Sequence, residues 1–389
     1  MRRAALAAVA LLLLAVLAAG HWYLARRLLL EPALPPPLRG TLVAALVALG
    51  ASLVAQPAAD RLGRRAVARA LAWPAAVWMG LAFYLLVGCA VTDVVRLAVV
   101  GTALASGPAL GGAASSWAGA RAAVVALAAT AAAAAGVRAA LRPPAVRRVV
   151  VALARWPRAL DGFRIVQVSD VHIGPLLDRR FAAAVVTRVN ALAPDLVAVT
   201  GDLVDGSVAA LADEVAPFAG LAARHGVFFV TGNHDYYYGA DDWIACVERL
   251  GMRVLRNEHV TIHAGRAAFD LAGVDDRHAR FFGPGHGEDV PRALAGRDSA
   301  RAVVLLAHDP GTFKEAAALG VDLQLSGHTH GGQVWPFGWL VRLAVPWVAG
   351  RHRRGASELY VSRGTGFWGP PMRVGAPAEI TEVVLRAAA

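Results

Sequence analysis

The stretch "LSGHTHGGQVW", Leu325 to Trp335, sets His328 and His330 one residue apart at the end of a short apolar run and follows them with Gly331 and Gly332. Two imidazoles and two glycines fill a core poorly. They suit a place where neutral nitrogen donors face a ligand and the backbone comes close to it. On an extended segment both imidazoles project to the same side. What else in the chain reaches that side decides the fold.

Four other stretches have the same form. "VQVSDVHIG" ends an apolar run with Asp170 and His172, and "AVTGDLVDG" with Asp202 and, beyond it, Asp205. "FVTGNHDYY" gives Asn233, His234 and Asp235, and "LLAHDP" gives His308. An isolated Asp after a strand is usually a turn former or a helix cap, and an isolated strand-end His is usually a hydrogen-bonded structural residue. Five such clusters are a different matter. In α/β sheets the carboxyl ends of the strands form the ligand-binding edge, so the five can converge on one site.

The segments between the clusters support an α/β domain. "RRVVVAL", "FRIVQVS", "LVAVT" and "VFFVT" read as strands, and "AAFDLAGV", "RAVVLLA", "VDLQLS" and "ELYVSRG" as a later set. "DRRFAAAVVTRVNAL" (178–192) has helical spacing with Asp178 as its N-cap, and "DDWIACVERLG" reads as a helix ending at Gly251. The order is βαβα first and mainly β afterwards.

The first 142 residues are different. Hydrophobic residues make up 57% of the 389-residue chain, above the roughly 45–50% of ordinary soluble proteins, and the excess is concentrated there. Uncharged runs at Ala4–Ala25, Gly40–Ala59 and Ala70–Thr92 are long enough, or nearly so, to cross a bilayer. A shorter run, Ala122–Val137, extends through Gly119 if Arg121 snorkels. Leu97–Ala120, with "SGPALGGAASS", reads as a loop, and a fifth span there is the alternative. The first run also has the form of a signal peptide, but the runs after it favour an uncleaved anchor. The expected organisation is a multi-span region at 1–142, a linker with a first strand at 143–160, and a globular domain at 161–389.

Charge divides at the same boundary. Residues 1–144 carry a net +10, and the remainder only +1 of the total +11. A basic face for nucleic acid is therefore not expected. With four spans, arginine placement puts the globular domain on the cytoplasmic side; a fifth span reverses this. Cys89 and Cys246 are too few for a disulfide framework or a thiolate zinc site.

In this order the clusters, Asp170-x-His172, Gly201-Asp202-x-x-Asp205, Gly232-Asn233-His234-Asp235, His308 and Gly327-His328-x-His330, resemble the calcineurin-like metallophosphoesterase superfamily. "LSGHTHGGQ", "AHDP", "YVSRGTG" and "GAPAEI" look closest to a bacterial membrane-anchored branch that includes phosphodiesterases and UDP-2,3-diacylglucosamine pyrophosphatase-type enzymes. The resemblance implies a four-layer αββα sandwich, here behind about four transmembrane helices of a bacterial inner membrane. It also implies two divalent metal ions. Asp170, His172 and His330 would hold the first, Asn233, His308 and His328 the second, and Asp202 would bridge them. His234 would stand beside the substrate, oriented by Asp235, while Asp205 would support a ligand from behind.

Mixed carboxylate, amide and imidazole donors suit Mn²⁺, Fe or Zn²⁺. Two such ions bind phosphoryl oxygens and lower the pKa of a bridging water, and an ester oxygen leaves more readily if His234 protonates it. The implied activity is hydrolysis of a phosphodiester or pyrophosphate, with a lipid-linked substrate and membrane lipids as partners. A phosphomonoesterase or protein phosphatase on the same core, and a non-catalytic membrane sensor, are the alternatives. Trp335, Trp339 and Trp347, with Trp368 beyond, either fill the second sheet's core or form an apolar gate, with Arg351, Arg353 and Arg354 meeting a phosphate or the bilayer surface.

Overall fold

A computed structural model describes residues 2–106 and 114–388. They form two compact units that divide near Arg138. The first is helical: α1 (Arg2–Ala25), α2 (Pro36–Arg61), α3 (Arg65–Ser106) and α4 (Ala114–Ala140). Four helical stretches, Ala7–Leu30, Pro36–Arg61, Arg65–Ala98 and Trp117–Ala140, are long and apolar enough to cross a membrane. Two expectations need correction. Leu97–Ser106 and Ala114–Ala120 are helix rather than loop, because the alanine- and valine-rich flanks outweigh the scattered breakers; residues 107–113 lie outside the described residues. Nor does Arg121 snorkel. It pairs with Asp93 at 3.0 Å and Glu31 at 2.6 Å, while Arg27 pairs with the same two carboxylates at 2.9 and 2.5 Å. Two cations and two anions thus neutralise one another between helices, which lowers the cost of burying charge.

The second unit runs in chain order β1 (Ala145–Leu153), β2 (Phe163–Val168), α5 (Arg179–Ala191), β3 (Leu196–Thr200), α6 (Val208–Val215), β4 (Val227–Val230), α7 (Asn233–Tyr237), α8 (Ala240–Arg249) and β5 (Arg253–Val254). It continues with β6 (Glu258–Ala264), β7 (Ala267–Gly273), α9 (Val290–Ala293), β8 (Val303–Leu306), α10 (Phe313–Ala318), β9 (Leu323–Ser326), α11 (Gly338–Ala344), β10 (Gly350–Arg354), β11 (Ser357–Val361) and β12 (Glu379–Ala387). These strands build two mixed sheets, β1-β12-β2-β3-β4-β5 and β10-β11-β9-β8-β7-β6. β1 pairs in parallel with β12 along its whole length, so the strand read at "RRVVVAL" lies in the first sheet and begins at Ala145.

Side-chain alternation explains the layering. Ile165, Leu196, Ala198 and Phe228 face Phe269, Leu271, Val304, Leu306, Leu323 and Leu325 between the sheets. Their neighbours Val166, Val197, Val199 and Phe229 turn outward beneath α5, α6 and α8, and Ala272, Val303 and Leu305 turn outward beneath α9 and α10. The period of two gives each strand two apolar faces, and helices cover the outer ones. α5 buries Ala182, Val185, Val186 and Val189, one stripe at helical spacing. Asp178 caps it by accepting from the N–H groups of Arg180 and Phe181, a contact whose loss costs about 1 kcal/mol.

β2, β3 and β4 run parallel, as do β7, β8, β9 and β11. Gln167 joins the sheets near their C-terminal edges, its Nε2 donating to Thr200 Oγ1 and the Ser326 carbonyl, both at 2.9 Å. All five sequence clusters leave the strands at these edges.

Candidate metal centre

The strand-end turns hold their polar residues in unusual backbone conformations. Asp170, His172, Asp202, His328 and His330 all have positive φ, between 51° and 71°. For residues with a Cβ each such conformation costs about 1–2 kcal/mol. Concentration of that strain in five candidate ligands points to a functional constraint. Glycines make the close approach possible. A Cβ at Gly232 would stand 2.2 Å from Asp202 Oδ1, and one at Gly327 would stand 2.1 Å from Asp170 Oδ2.

Among the described residues three clusters of donor atoms result, one of them His172, Asp205 and His234, and the other two hold the candidate ligands. Asp170, His172 and His330 converge in one, and Asp202, His308 and His328 in the other. In the first, His172 Nε2 and His330 Nε2 face each other at 3.0 Å, and Asp170 Oδ1 lies 3.5 Å from His330 Nε2. In the second, His308 Nε2 lies 3.2 Å from Asp202 Oδ2 and 3.3 Å from His328 Nδ1, and Asn233 Oδ1 lies 2.8 Å from that same Nδ1. Spacings of about 3 Å are those of neighbouring ligands on one ion with bonds near 2.1 Å. Asp202 Oδ2 is also 3.8 Å from His172 Nε2, so its carboxylate lies between the groups. Asp170 Oδ2 is buried without a hydrogen-bond partner, the state of an oxygen meant for a cation. The residues fit two divalent ions, with His328 and His330 in different groups.

Hydrogen bonds behind the donors set their direction. His308 Nδ1 bonds the Thr200 carbonyl at 2.7 Å, leaving Nε2 to face the site. His172 Nδ1 lies 3.0 Å from Asp205 Oδ1, so its Nε2 is likewise free. The same Asp205 oxygen is 2.7 Å from His234 Nδ1. Asp205, not Asp235, therefore orients His234. Asp235 accepts instead from the backbone N–H groups of Asp202, Leu203 and Gly232, tying the turns after β3 and β4 together.

The electrostatics agree with these pairings. Burial opposes ionisation of Asp205, but His172 and His234 hold its carboxyl at about 2. Burial likewise opposes ionisation of Asp202, yet His308, His234 and His172 keep it well below the usual carboxylate range. Burial and the Asp202 charge push Asp235 up to about 7.

His234 meets Tyr237 at 5.0 Å and Trp368 at 5.5 Å between ring centroids. Gln333 holds Trp368 from the turn after His330, donating to its carbonyl at 2.7 Å and accepting from its N–H at 3.0 Å. Trp335, Trp339 and Trp368 are 62%, 65% and 51% exposed, and α11 buries none of its residues. These three do not fill the second sheet's core, whereas Trp347 packs edge-on against Phe313 beside Leu359 and Val361. Arg351 is not available to a phosphate either, because Glu358 holds it bidentately at 2.8 Å.

Sequence reasoning missed two contributors. Arg373, buried behind the first group, donates to the carbonyls of His330 at 3.0 Å and Arg363 at 2.6 Å. His278 stacks on His328 at 6.1 Å. The second was findable, since Asp275 to His278 follow the apolar run of β7 just as the recognised clusters follow theirs.

Paired imidazole–carboxylate groups at the joined edges of two sheets define the class, an α/β protein with a dinuclear metal-binding site. The profile of the family described as Calcineurin-like phosphoesterase matches residues 163–332. An "Uncharacterized metallophosphoesterase" of Aquifex aeolicus is 34% identical over 62% of this chain and 91% of its own length. The "Transmembrane protein with metallophosphoesterase domain" of Bos taurus is 40% identical, and that of Danio rerio 38%, each over 65% of this chain. The chain spans 60% of the length of these two vertebrate relatives. It belongs to the calcineurin-like metallophosphoesterases.

Proposed function

We propose that the chain is a membrane-anchored, metal-dependent phosphohydrolase that cleaves a phosphodiester or pyrophosphate, with a lipid-linked substrate as the preferred class. The observation that carries the hydrolase reading is the pair of donor groups with Asp202 between them. Asp170, His172 and His330 would hold one ion and Asn233, His308 and His328 the other. Mn²⁺ suits this oxygen- and nitrogen-rich set, as do Fe and Zn²⁺. When bound, two divalent ions supply charge stabilisation at the phosphoryl oxygens and a lower pKa for the attacking water.

The remaining work falls to this chain's own residues. His234, with Nδ1 directed at ionised Asp205, presents Nε2 outward. From that nitrogen it donates a proton to the departing ester oxygen, while Asp205 holds the ring in place through Nδ1. Tyr237 and Trp368 flank the imidazole and restrict water around it.

Three features support a lipid-linked substrate at a membrane: the half-exposed Trp368 beside His234 with Trp335 and Trp339 exposed as well, the four long apolar helices and the vertebrate relatives' names. Arginine placement around those helices favours a multi-pass inner-membrane protein with its α/β unit on the cytoplasmic side.

The test is turnover by the purified full-length chain of a panel of lipid-linked and soluble phosphodiesters, with and without added divalent ions. Turnover requires the ions, falls at least ~10³-fold in Asp202→Asn and ~10²–10⁴-fold in His234→Ala, and is fastest on lipid-linked esters. Full activity in either variant refutes the assigned site. A preference for water-soluble cyclic nucleotides over every lipid phosphate refutes the substrate class.

A further inference from the structure

The loop after β7 brings a second set of charged residues to the edge that carries the metal centre. His278 stacks on His328, and Arg277 beside it lies over the turn that follows His308. A Cβ at Gly311 in that turn would stand 2.4 Å from Arg277 Nη1. Glu288 reaches the same turn from the other side, accepting from Thr312 Oγ1 at 2.9 Å. His286 packs edge-on against Tyr236 at 5.3 Å, in the helix that begins with Asn233 and His234. Between these elements lies a cavity of about 460 Å³, lined by Arg277, Arg280, Arg292, His286, Glu288 and Glu315 among others. Its volume is in the range of small-molecule sites, roughly 300–1,000 Å³.

The charges in this cavity are not neutralised in pairs. Among the described residues no carboxylate lies within 4.0 Å of the guanidinium nitrogens of Arg277, Arg280 or Arg292. Nearby Arg256 is different, locked to Asp275 at 2.8 and 2.9 Å. Of the acidic lining residues, Asp289 caps α9 and Glu288 is bonded to Thr312. Burial raises the Glu288 carboxyl to about 7, so at neutral pH only part of it is charged. Three guanidinium groups then outweigh the carboxylates of Asp289 and Glu315. Isolated exposed arginines on a convex surface would carry no meaning; three lining one cavity, with Arg277 next to the His278 that stacks on His328, form a donor set suited to an oxyanion.

We propose that this cavity is a subsite for a second anionic group of the substrate, a phosphate or carboxylate next to the scissile phosphoryl group. The substrate then meets unlike walls, guanidinium groups beyond His278 and the Trp368 indole beside His234. The proposal rests on the phosphohydrolase reading and adds the charge of the group that the enzyme selects.

Two measurements on the full-length chain test it. In the first, phenylglyoxal labelling is mapped by mass spectrometry, with inorganic phosphate as the probe. Phosphate slows modification of Arg277, Arg280 and Arg292 relative to Arg342, which is equally exposed and does not line the cavity. In the second, kcat/KM is compared for bis(4-nitrophenyl) phosphate and a 4-nitrophenyl diester bearing a distal carboxylate. The metal-loaded protein prefers the charged ester by about tenfold, mainly through KM, as expected of about 1.4 kcal/mol of added binding. In Arg277→Gln/Arg280→Gln the ratio falls to about one. Equal labelling with and without phosphate, or a preference that survives the double substitution, overturns the subsite. If neither ester is turned over while phosphate still protects the three arginines, the hydrolase reading fails and the anion subsite stands.

Discussion

Substituting Gly327 by Ala tests how tightly the metal centre is built. The added methyl would stand 2.0 Å from Ser169 Oγ and 2.1 Å from Asp170 Oδ2, whereas ordinary contact begins near 3.4 Å. Something must move by more than 1 Å. Ser169 can rotate, at the cost of its 3.2 Å hydrogen bond to the Thr200 carbonyl, worth about 1 kcal/mol. Asp170 cannot yield so easily. It is fully buried, and its Oδ1 accepts from the His328 N–H at 2.8 Å, so its displacement drags a residue of the other donor group with it. Overpacking of this kind destabilises by about 1–3 kcal/mol, a Tm loss of roughly 2–10 °C for a unit of this size. A ligand displaced by about 1 Å costs ~10² in kcat/KM. The control is Gly220→Ala, whose new methyl meets only Val186 Cγ1 at 3.4 Å. Ion content, melting and diester turnover are measured on both variants. A Gly327→Ala protein with full ion content and turnover within twofold of wild type would refute the close packing behind this prediction.

Other substitutions separate roles that the structure assigns to neighbouring carboxylates. Asp205→Ala frees the Nδ1 atoms of His172 and His234 together, so ion affinity and kcat both fall by about 10–100-fold; loss of only one, seen by titration and steady-state kinetics, contradicts the shared contact. Asp235→Ala strands three buried N–H groups, each costing about 1–3 kcal/mol, and its main effect is a lower Tm in thermal melts. A large activity loss at unchanged Tm would return Asp235 to a direct role in the chemistry. Glu288 makes a pH prediction. Burial raises its carboxyl from 4.5 to about 7 with Thr312, Arg277, Asp309 and Glu315 facing it, so the unfolded chain releases this proton first. Its contribution to stability is intact below 4.5 and declines by about 3 kcal/mol as pH rises through about 7. Glu288→Gln removes that slope from denaturation curves taken across the window, and an unchanged slope contradicts the assignment.

The metal centre was readable in the sequence because each strand is a short apolar run and its functional residues follow directly. The separation of His328 from His330 was also anticipated, through the resemblance rather than through spacing, since an extended strand alone suggests one ion gripped by both. Partnerships across the fold were not readable. Asp205 and Asp235 each lie near histidines in sequence, and only the way the turns after β2, β3 and β4 stack decides that Asp205 meets two imidazoles and Asp235 meets three backbone amides. Leu97–Ser106 adjoins the breakers of "SGPALGGAASS" and reads as loop with them, yet its own apolar residues carry α3 through to Ser106. The tryptophans of 335–368 were ambiguous for a physical reason: an indole is equally at home in a core and at a membrane surface.

The most direct test of the account is the number of divalent ions that the purified chain binds, measured by titration calorimetry and elemental analysis. Wild type is expected to bind two Mn²⁺ per chain. His330→Ala and His308→Ala are each expected to retain one, because the two donor groups are separate. A single ion in wild type, or one substitution that removes both ions while the other removes none, would contradict a dinuclear centre built from these residues.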